Sequence, residues 1–216
     1  MMSSRETILT NIKQNLKGVS VLDEPLKIPL NEHSMSAGEL VDRFGIEFKK
    51  IDCEMVRCKN HDEAVKTICA MTGVGSQQKI MVSKDPLLTD NTYEEKIKTV
   101  SPNFSVIKYN QDVASVDSSV VVASYAIAET ATIVLRSSPS QIRSLSLLPE
   151  TVFVIAKESQ LYLSMGEVLK QLQNTGALKE TSALIFVTGS SRTTDIEKTL
   201  VRGVHGPKRL VVVFVP

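Results

Sequence analysis

The sequence predicts an α/β fold with a mostly parallel central sheet flanked by helices and preceded by an N-terminal helical arm. From residue 51 onward, short runs of β-branched and apolar residues alternate with segments of helical periodicity. The runs LIFV (184–187) and LVVVFV (210–215) are almost wholly apolar, which is typical of strands buried on both faces. With 216 residues and 42% hydrophobic residues, the chain is large enough to bury a core. We place the arm and its linker at residues 1–50 and the α/β domain at 51–216.

Two helices are expected in the arm. The first covers residues 4–17, where apolar residues recur at every fourth position before a glycine. Residues 19–33 contain two prolines and are expected to be an extended linker. A second helix begins after Ser36, because Ser36-Ala-Gly-Glu39 has the form of a capping box.

Strands and helices alternate through the α/β domain. The predicted strands are 55–58, 79–83, 104–109, the long segment 118–138 with a break near 126–130, 151–156, 182–189 and 209–215. The predicted helices are 61–72, 140–148, 161–173 and 194–202. Ligands of parallel sheets bind beyond the carboxyl ends of strands, so the loop after 182–189 is a candidate site.

Composition and charge exclude several classes of protein. A net charge of +1 and the absence of Trp argue against a nucleic-acid-binding surface. No apolar run reaches the roughly 18 residues of a membrane span, and the first residues lack the apolar stretch of a signal peptide, so we expect a cytoplasmic protein. Three cysteines without a close pair argue against disulfides, a metal site or an iron–sulfur cluster in this chain.

The segment from Gly189 to Pro207 has two interpretations. Thr194-Asp-Ile-Glu197 is a capping box, with Asp195 in the first turn, where its charge suits the helix dipole. The alternative is an anion site, because free amides at a helix N-terminus and a forked Arg both bind anions, and Asp195 would then orient that Arg or bind a ligand hydroxyl. Capping leaves five residues unexplained: Ser190, Ser191, Arg192, Thr193 and His205. The residues alone leave both interpretations open.

Other polar residues also have two interpretations each. His205 is either a hydrogen-bonding turn residue or an acid–base group. Glu129 is the single carboxylate of the β-rich segment, and it is either exposed at a strand break or buried with a raised pKa. Thr130 and Thr132 are β-forming residues or ligand contacts. Arg136, Ser137 and Ser138 end the following strand as a second group of donors.

Four motifs together resemble a known family. They are Ala126-Ile-Ala-Glu-Thr-Ala-Thr-Ile133, Arg136-Ser-Ser-Pro139, Ser146-Leu-Leu-Pro149, and Gly189-Ser-Ser-Arg-Thr-Thr-Asp-Ile-Glu197 continuing to Val204-His-Gly-Pro207. In this order they resemble the lactate-utilisation protein C family, the LUD domain, most strongly over residues 118–216. Ala126 and Ala131 stand where the family motif has two glycines, so the resemblance is to a divergent member. Because Ala disfavours positive φ, we expect an altered first motif.

The resemblance implies a fold similar to the sugar isomerase, CoA-transferase and formyltetrahydrofolate cyclo-ligase group. It implies an accessory, ligand-binding subunit of a system that oxidises L-lactate to pyruvate, with iron–sulfur clusters in partner subunits and no cofactor or metal in this chain. The candidate ligand-binding residues are Thr130, Thr132, Ser137, Ser138, Ser190, Ser191, Arg192, Thr193 and Asp195. One alternative is a stand-alone ligase- or isomerase-like enzyme that uses Glu129 or His205 as acid or base. Another is a structural interaction module.

Overall fold

The computed structural model describes residues 4–15, 17, 35–72, 78–109, 112–177, 181–193 and 201–216. The α-helices within these ranges are α1 (Ser4–Asn15), α2 (Ala37–Lys50), α3 (His61–Met71), α4 (Pro86–Asp90), α5 (Tyr93–Val100) and α6 (Met165–Asn174). The strands are β1 (Glu54–Arg57), β2 (Lys79–Val82), β3 (Ser105–Val106), β4 (Ser118–Val122), β5 (Tyr125–Ile127), β6 (Thr132–Arg136), β7 (Thr151–Lys157), β8 (Leu161–Tyr162), β9 (Leu184–Val187), β10 (Arg192–Thr193), β11 (Val201–Arg202) and β12 (Arg209–Val215). Three short 3₁₀ turns lie at Val113–Ser115, Arg143–Ser146 and Glu158–Gln160.

Six parallel strands form the main sheet in the order β1-β12-β7-β4-β2-β3. Phe153 lies at its centre, in register with Val211 of β12 on one side and Val120 of β4 on the other. A smaller sheet has the order β8-β5-β6-β9, in which β6 is antiparallel to both of its neighbours. The predicted fold class, a mostly parallel sheet flanked by helices, is confirmed.

The main sheet is buried on both faces, as the apolar runs predict. In β12, Val212 and Phe214 belong to the core beneath α2 and the smaller sheet. Val211 and Val213 point to the opposite core, which α3 and α5 cover. Because side chains alternate between the faces of a strand, both sets must be apolar, and LVVVFV meets this condition.

Helix α2 begins and packs as its sequence predicts. Ser36 accepts a hydrogen bond from the Glu39 amide, and the Glu39 side chain bonds back to the Ser36 amide, which confirms the capping box. Phe44 and Phe48 are fully buried, and the ring of Phe44 lies 5.2 Å from that of Phe214. The division at residue 50 stays a prediction, although α2 contributes these side chains to the core. Helix α1, in contrast, has no buried residue.

Local periodicity misplaces several predicted elements. The segment 118–138 forms three strands in two different sheets, and 140–148 contains only one 3₁₀ turn. The predicted strand 104–109 shortens to β3, and α6 begins at Met165 because β8 precedes it. Residues 201–202 pair with β10 as a strand, so the predicted helix 194–202 is wrong there, and its remainder lies outside the described residues. Strand pairing between distant segments overrides local helix signals at these positions. None of the described helices is long and apolar enough to cross a membrane.

Candidate functional site

The loop after β9 lies at the amino end of the parallel sheet, not at its carboxyl end. Strand β9 belongs to the smaller sheet and runs antiparallel to β6. A Cβ added to Gly189 would lie 3.2 Å from the Cδ1 atom of Ile51, just before β1. The Ser191 amide donates to the carbonyl of Pro207, just before β12, at 2.9 Å. The expectation that this loop follows a strand of the parallel sheet is therefore wrong, because β9 pairs elsewhere.

The Arg192 guanidinium binds other parts of the chain. Its Nη2 donates to the backbone carbonyl of Ile51 and lies 3.3 Å from Oδ2 of Asp52. Both acceptors belong to the turn between α2 and β1. In this arrangement Arg192 ties the loop after β9 to the amino end of the main sheet.

Several predicted residues meet in this loop. Ser191 Oγ accepts from the backbone N–H of His205 at 3.3 Å, and the His205 side chain is exposed. The Ser190 hydroxyl is buried and faces the thiol of Cys53. Thr193 lies in β10, where its backbone pairs with Val201. Asp195 lies outside the described residues.

The motif at 126–133 meets the loop after β9 at the start of β6. Thr132 is 2% exposed, and its Oγ1 lies 2.8 Å from Thr130 Oγ1 and 2.7 Å from Thr188 Oγ1. Thr188 immediately precedes Gly189, so three hydroxyl groups connect the β5–β6 turn to the loop after β9. The structure thus places Thr130 and Thr132 beside the start of the loop that contains Ser190, Ser191 and Arg192.

Glu129 and Ala131 complete the β5–β6 turn. Oε1 of the partly buried Glu129 accepts from the Met165 amide at 3.2 Å, where α6 begins. Glu129 therefore stabilises the start of a helix, since the first amides of a helix lack intrahelical acceptors. Ala131 is fully buried with φ +49°, so it adopts the left-handed conformation that Ala was expected to disfavour. The presence of Ala at position 131 therefore does not prevent a positive φ there.

Ser137 and Ser138 lie at the opposite end of β6. The Ser137 amide donates to the carbonyl of Ala183, and Ser138 Oγ accepts from the Gln141 amide at 3.1 Å. The buried Gln141 side chain binds both backbone groups of Val122, accepting from N–H at 2.7 Å and donating to C=O at 2.9 Å. Sequence reasoning did not select Gln141, because its role depends on the distant end of β4.

A cleft with a volume of about 650 Å³ lies at the carboxyl end of the main sheet. Val122 and Lys157 are the last residues of β4 and β7, and both line the cleft. Its polar side chains include His61, Asp90, Tyr125, Arg136, Lys157 and Gln160. Of these, sequence reasoning named only Arg136. The signal that could have found the others is their position after the strands of the parallel sheet.

The hydrogen bonds and charges around the cleft constrain its chemistry. His61 Nδ1 lies 2.9 Å from the hydroxyl oxygen of the buried Tyr93. Burial lowers the pKa of His61, and the ammonium groups of Lys157 and Lys96 lower it further. Asp85 also lines the cleft, but its carboxylate accepts from the Leu87 amide and caps α4.

One buried hydrogen-bond acceptor in the wall of the cleft lacks a donor among the described residues. Gln160 Oε1 is buried and has no partner within the described ranges. Those ranges also contain no group of three or more His, Cys, Asp or Glu side chains that could hold a metal ion. The walls of the cleft therefore present cationic, hydroxyl and amide groups together with the carboxylates of Asp85 and Asp90.

Comparisons with known proteins identify relatives over the whole length of the chain. Lactate utilization protein C of Bacillus pumilus is 27% identical over 235 residues, covering 99% of this chain and 97% of that protein. The protein of the same name from Halalkalibacterium halodurans is 29% identical, and the alignment covers 100% of this chain and 99% of that protein. A crystal structure of a DUF162 family protein from Deinococcus radiodurans has a TM-score of 0.61 at 19% identity. It covers 85% of this chain and 100% of that one, and it supports the fold alone.

A family model described as the LUD domain matches residues 41–215, which include α2 from Val41 onward and every strand of both larger sheets. The match therefore begins within the segment that we predicted as an arm. The chain belongs to the LUD domain family.

Proposed function

We propose that this chain is an accessory, ligand-binding subunit of an L-lactate utilisation system and that it binds a small carboxylate in the cleft. The names of its relatives support the process. The observation that carries the binding site is the cleft at the carboxyl end of the main sheet, where Arg136 and Lys157 are both lining residues. Ligands of open α/β sheets bind at this edge.

The size of the cleft suits a small organic ligand, and its lining places the cations Arg136 and Lys157 beside the carboxylates Asp85 and Asp90. Small-molecule sites have volumes of roughly 300–1,000 Å³, and 650 Å³ lies within this range. Lys157 forms no ion pair among the described residues, so its ammonium is available to a ligand. Arg136 adds the positive charge of a guanidinium to the lining of the cleft.

In this proposal the chain binds and positions the anion, while partner subunits carry the iron–sulfur clusters that accept electrons. Small carboxylates such as lactate and pyruvate need cationic and hydrogen-bonding groups for recognition, and the cleft supplies both. The stand-alone enzyme has weaker support, since Glu129 Oε1 accepts from a helix amide and His205 lies in the loop after β9.

The loop after β9 is a second candidate for the anion site. The features in its favour are the hydroxyl groups of Ser190 and Ser191, which can donate hydrogen bonds to an anion, although the buried Ser190 hydroxyl also faces the Cys53 thiol. The engagement of Arg192 with Ile51 and Asp52 argues against it. The two sites are distinguishable because the cleft lies at the carboxyl end of the main sheet and the loop lies at its amino end.

A thermal-shift screen with L-lactate, pyruvate and inorganic phosphate tests the proposal. A ligand at a hundred times its Kd adds about 2.7 kcal/mol of stability, which raises Tm by several degrees. We expect Lys157→Gln to abolish the shift. Lys170→Gln, at an exposed position of α6, and Arg192→Ala should preserve it. Loss of the shift only in Arg192→Ala would move the site to the loop. No shift in the wild type with any carboxylate would contradict ligand binding.

A further inference from the structure

His61 and Tyr93 form a hydrogen-bonded pair at the wall of the cleft. His61 is the first residue of α3 and lines the cleft. Its Nδ1 lies 2.9 Å from the Tyr93 hydroxyl, and the two rings meet edge to face, with centroids 5.7 Å apart. Tyr93 is fully buried at the start of α5, so both helices hold the pair in place.

The direction of this hydrogen bond follows from the burial of Tyr93. Burial raises the pKa of the phenol, so Tyr93 keeps its proton at neutral pH. A buried hydroxyl must donate that proton, and Tyr93 has no other hydrogen-bond partner among the residues that the structure describes. The Tyr93 O–H therefore donates to Nδ1, and a neutral imidazole with an acceptor at Nδ1 carries its own proton on Nε2.

The charged groups around His61 favour its neutral form. Lys157 at the end of β7 and Lys96 on α5 lower the pKa of His61, in addition to the larger effect of burial. Asp62, the next residue of α3, has the opposite effect but forms an ion pair with Lys96 at 2.6 Å. At pH 7 the ring is therefore neutral, and its remaining polar atom is an N–H donor.

We propose that Tyr93 is a positioning residue that fixes His61 as an Nε2–H donor, and that this donor binds an oxygen atom of a carboxylate ligand in the cleft. This inference rests on the proposed function, because it requires an anion in the cleft. The ligand class is a 2-hydroxy or 2-oxo acid. Its carboxylate binds Lys157, and either its carboxylate or its 2-oxygen accepts from His61.

The first test measures the tautomer without any ligand. Long-range ¹⁵N–¹H correlation spectra at pH 7.5 distinguish Nε2–H from Nδ1–H, and the chain has only three histidines. His61→Gln identifies the resonance. We expect a single Nε2–H tautomer in the wild type and in Tyr125→Phe, and a mixture in Tyr93→Phe. An Nδ1–H tautomer in the wild type would overturn the proposal.

The second test adds L-lactate or pyruvate. We expect the Nε2–H resonance to move, and His61→Leu to bind roughly tenfold more weakly, as for the loss of a hydrogen bond to a charged group. His61→Gln supplies an amide donor near the position of Nε2 and should retain binding within a few-fold. If the backbone amide resonance of Tyr125 moves when the ligand is added while the Nε2–H resonance of His61 does not, this inference fails and the proposed function stands. If the wild type binds neither acid, the proposed function fails, and the donor role of His61 fails with it.

Discussion

The hydroxyl groups of Thr132 and Thr188 lie 2.7 Å apart and join the start of β6 to the end of β9. These residues are separated by more than fifty positions in the sequence, yet they bring the β5–β6 turn against the loop after β9. Thr132 is 2% exposed, whereas Thr130, which also bonds to it, is exposed. The contact is therefore a buried link between the motif at 126–133 and the loop after β9, which are far apart in the sequence.

Thr132→Val should lower the free energy of unfolding by about 1–2 kcal/mol. The substitution keeps the shape of the side chain, but it removes the hydroxyl that bonds to Thr188 and leaves that group without this partner. Urea denaturation measures the change. Thr130→Val is the matched control, and because Thr130 is exposed we expect a loss below about 0.5 kcal/mol. Equal losses in both variants would contradict a specific role for the buried link.

Gln141→Leu should be more damaging, with a loss of about 2–4 kcal/mol. The Gln141 amide binds both the N–H and the C=O of Val122, and Leu leaves both of these buried groups unpaired. Gln173→Leu on the exposed face of α6 controls for the change in residue type. A loss below about 1 kcal/mol in chemical denaturation would show that water or a neighbouring group replaces the amide.

Stability should fall as the pH decreases from 7.5 to 5.5, and His61 should account for part of this fall. Its pKa in the folded protein is lowered from the ordinary value of 6.5, so the unfolded chain binds the proton more readily. Stability from this group is fully present above pH 6.5 and is lost as the pH falls towards the folded pKa. Denaturation midpoints of the wild type and His61→Gln measure it.

The variant should have a flatter pH profile than the wild type across this window. His205→Gln is the matched control, because His205 is exposed and lies in the loop after β9. The explanation would be wrong if His205→Gln flattened the profile and His61→Gln did not.

Arg192→Ala should lower stability by less than about 1 kcal/mol, because the ion pair with Asp52 is largely solvated. Arg192→Lys should recover part of this loss, since an ammonium can still reach a carbonyl or a carboxylate. Calorimetric titration should give the same Kd for L-lactate in both variants as in the wild type. A rise in Kd confined to Arg192→Ala would favour the loop after β9 as the anion site.

The sequence predicts best where the determining interactions are local or strictly periodic. Ser36 and Glu39 are three residues apart, so their capping box is visible in the sequence, and the apolar run of β12 requires burial on both faces. The segment 118–138 is different. All three of its strands are rich in apolar residues, and only their partners decide that β4 joins the main sheet while β5 and β6 join the smaller one.

The candidate site depends even more on distant pairing. The sequence predicts that the loop after β9 follows a strand of the parallel sheet, but β9 pairs with β6, and the loop lies at the amino end of the main sheet instead. No sequence pattern marks His61 or Lys157, because their proposed role arises only where the start of α3 and the end of β7 meet at the cleft. Tyr93 becomes informative only through its contact with His61.

Backbone amide spectra of the ¹⁵N-labelled protein during titration with L-lactate and with pyruvate test the central claim most directly. The cleft predicts that the resonances of Ser124, Tyr125 and Lys157 move with a common Kd, while those of Ser191 and His205 stay in place. Movement confined to Ser191 and His205 would contradict the assignment of the carboxylate site to the carboxyl end of the main sheet.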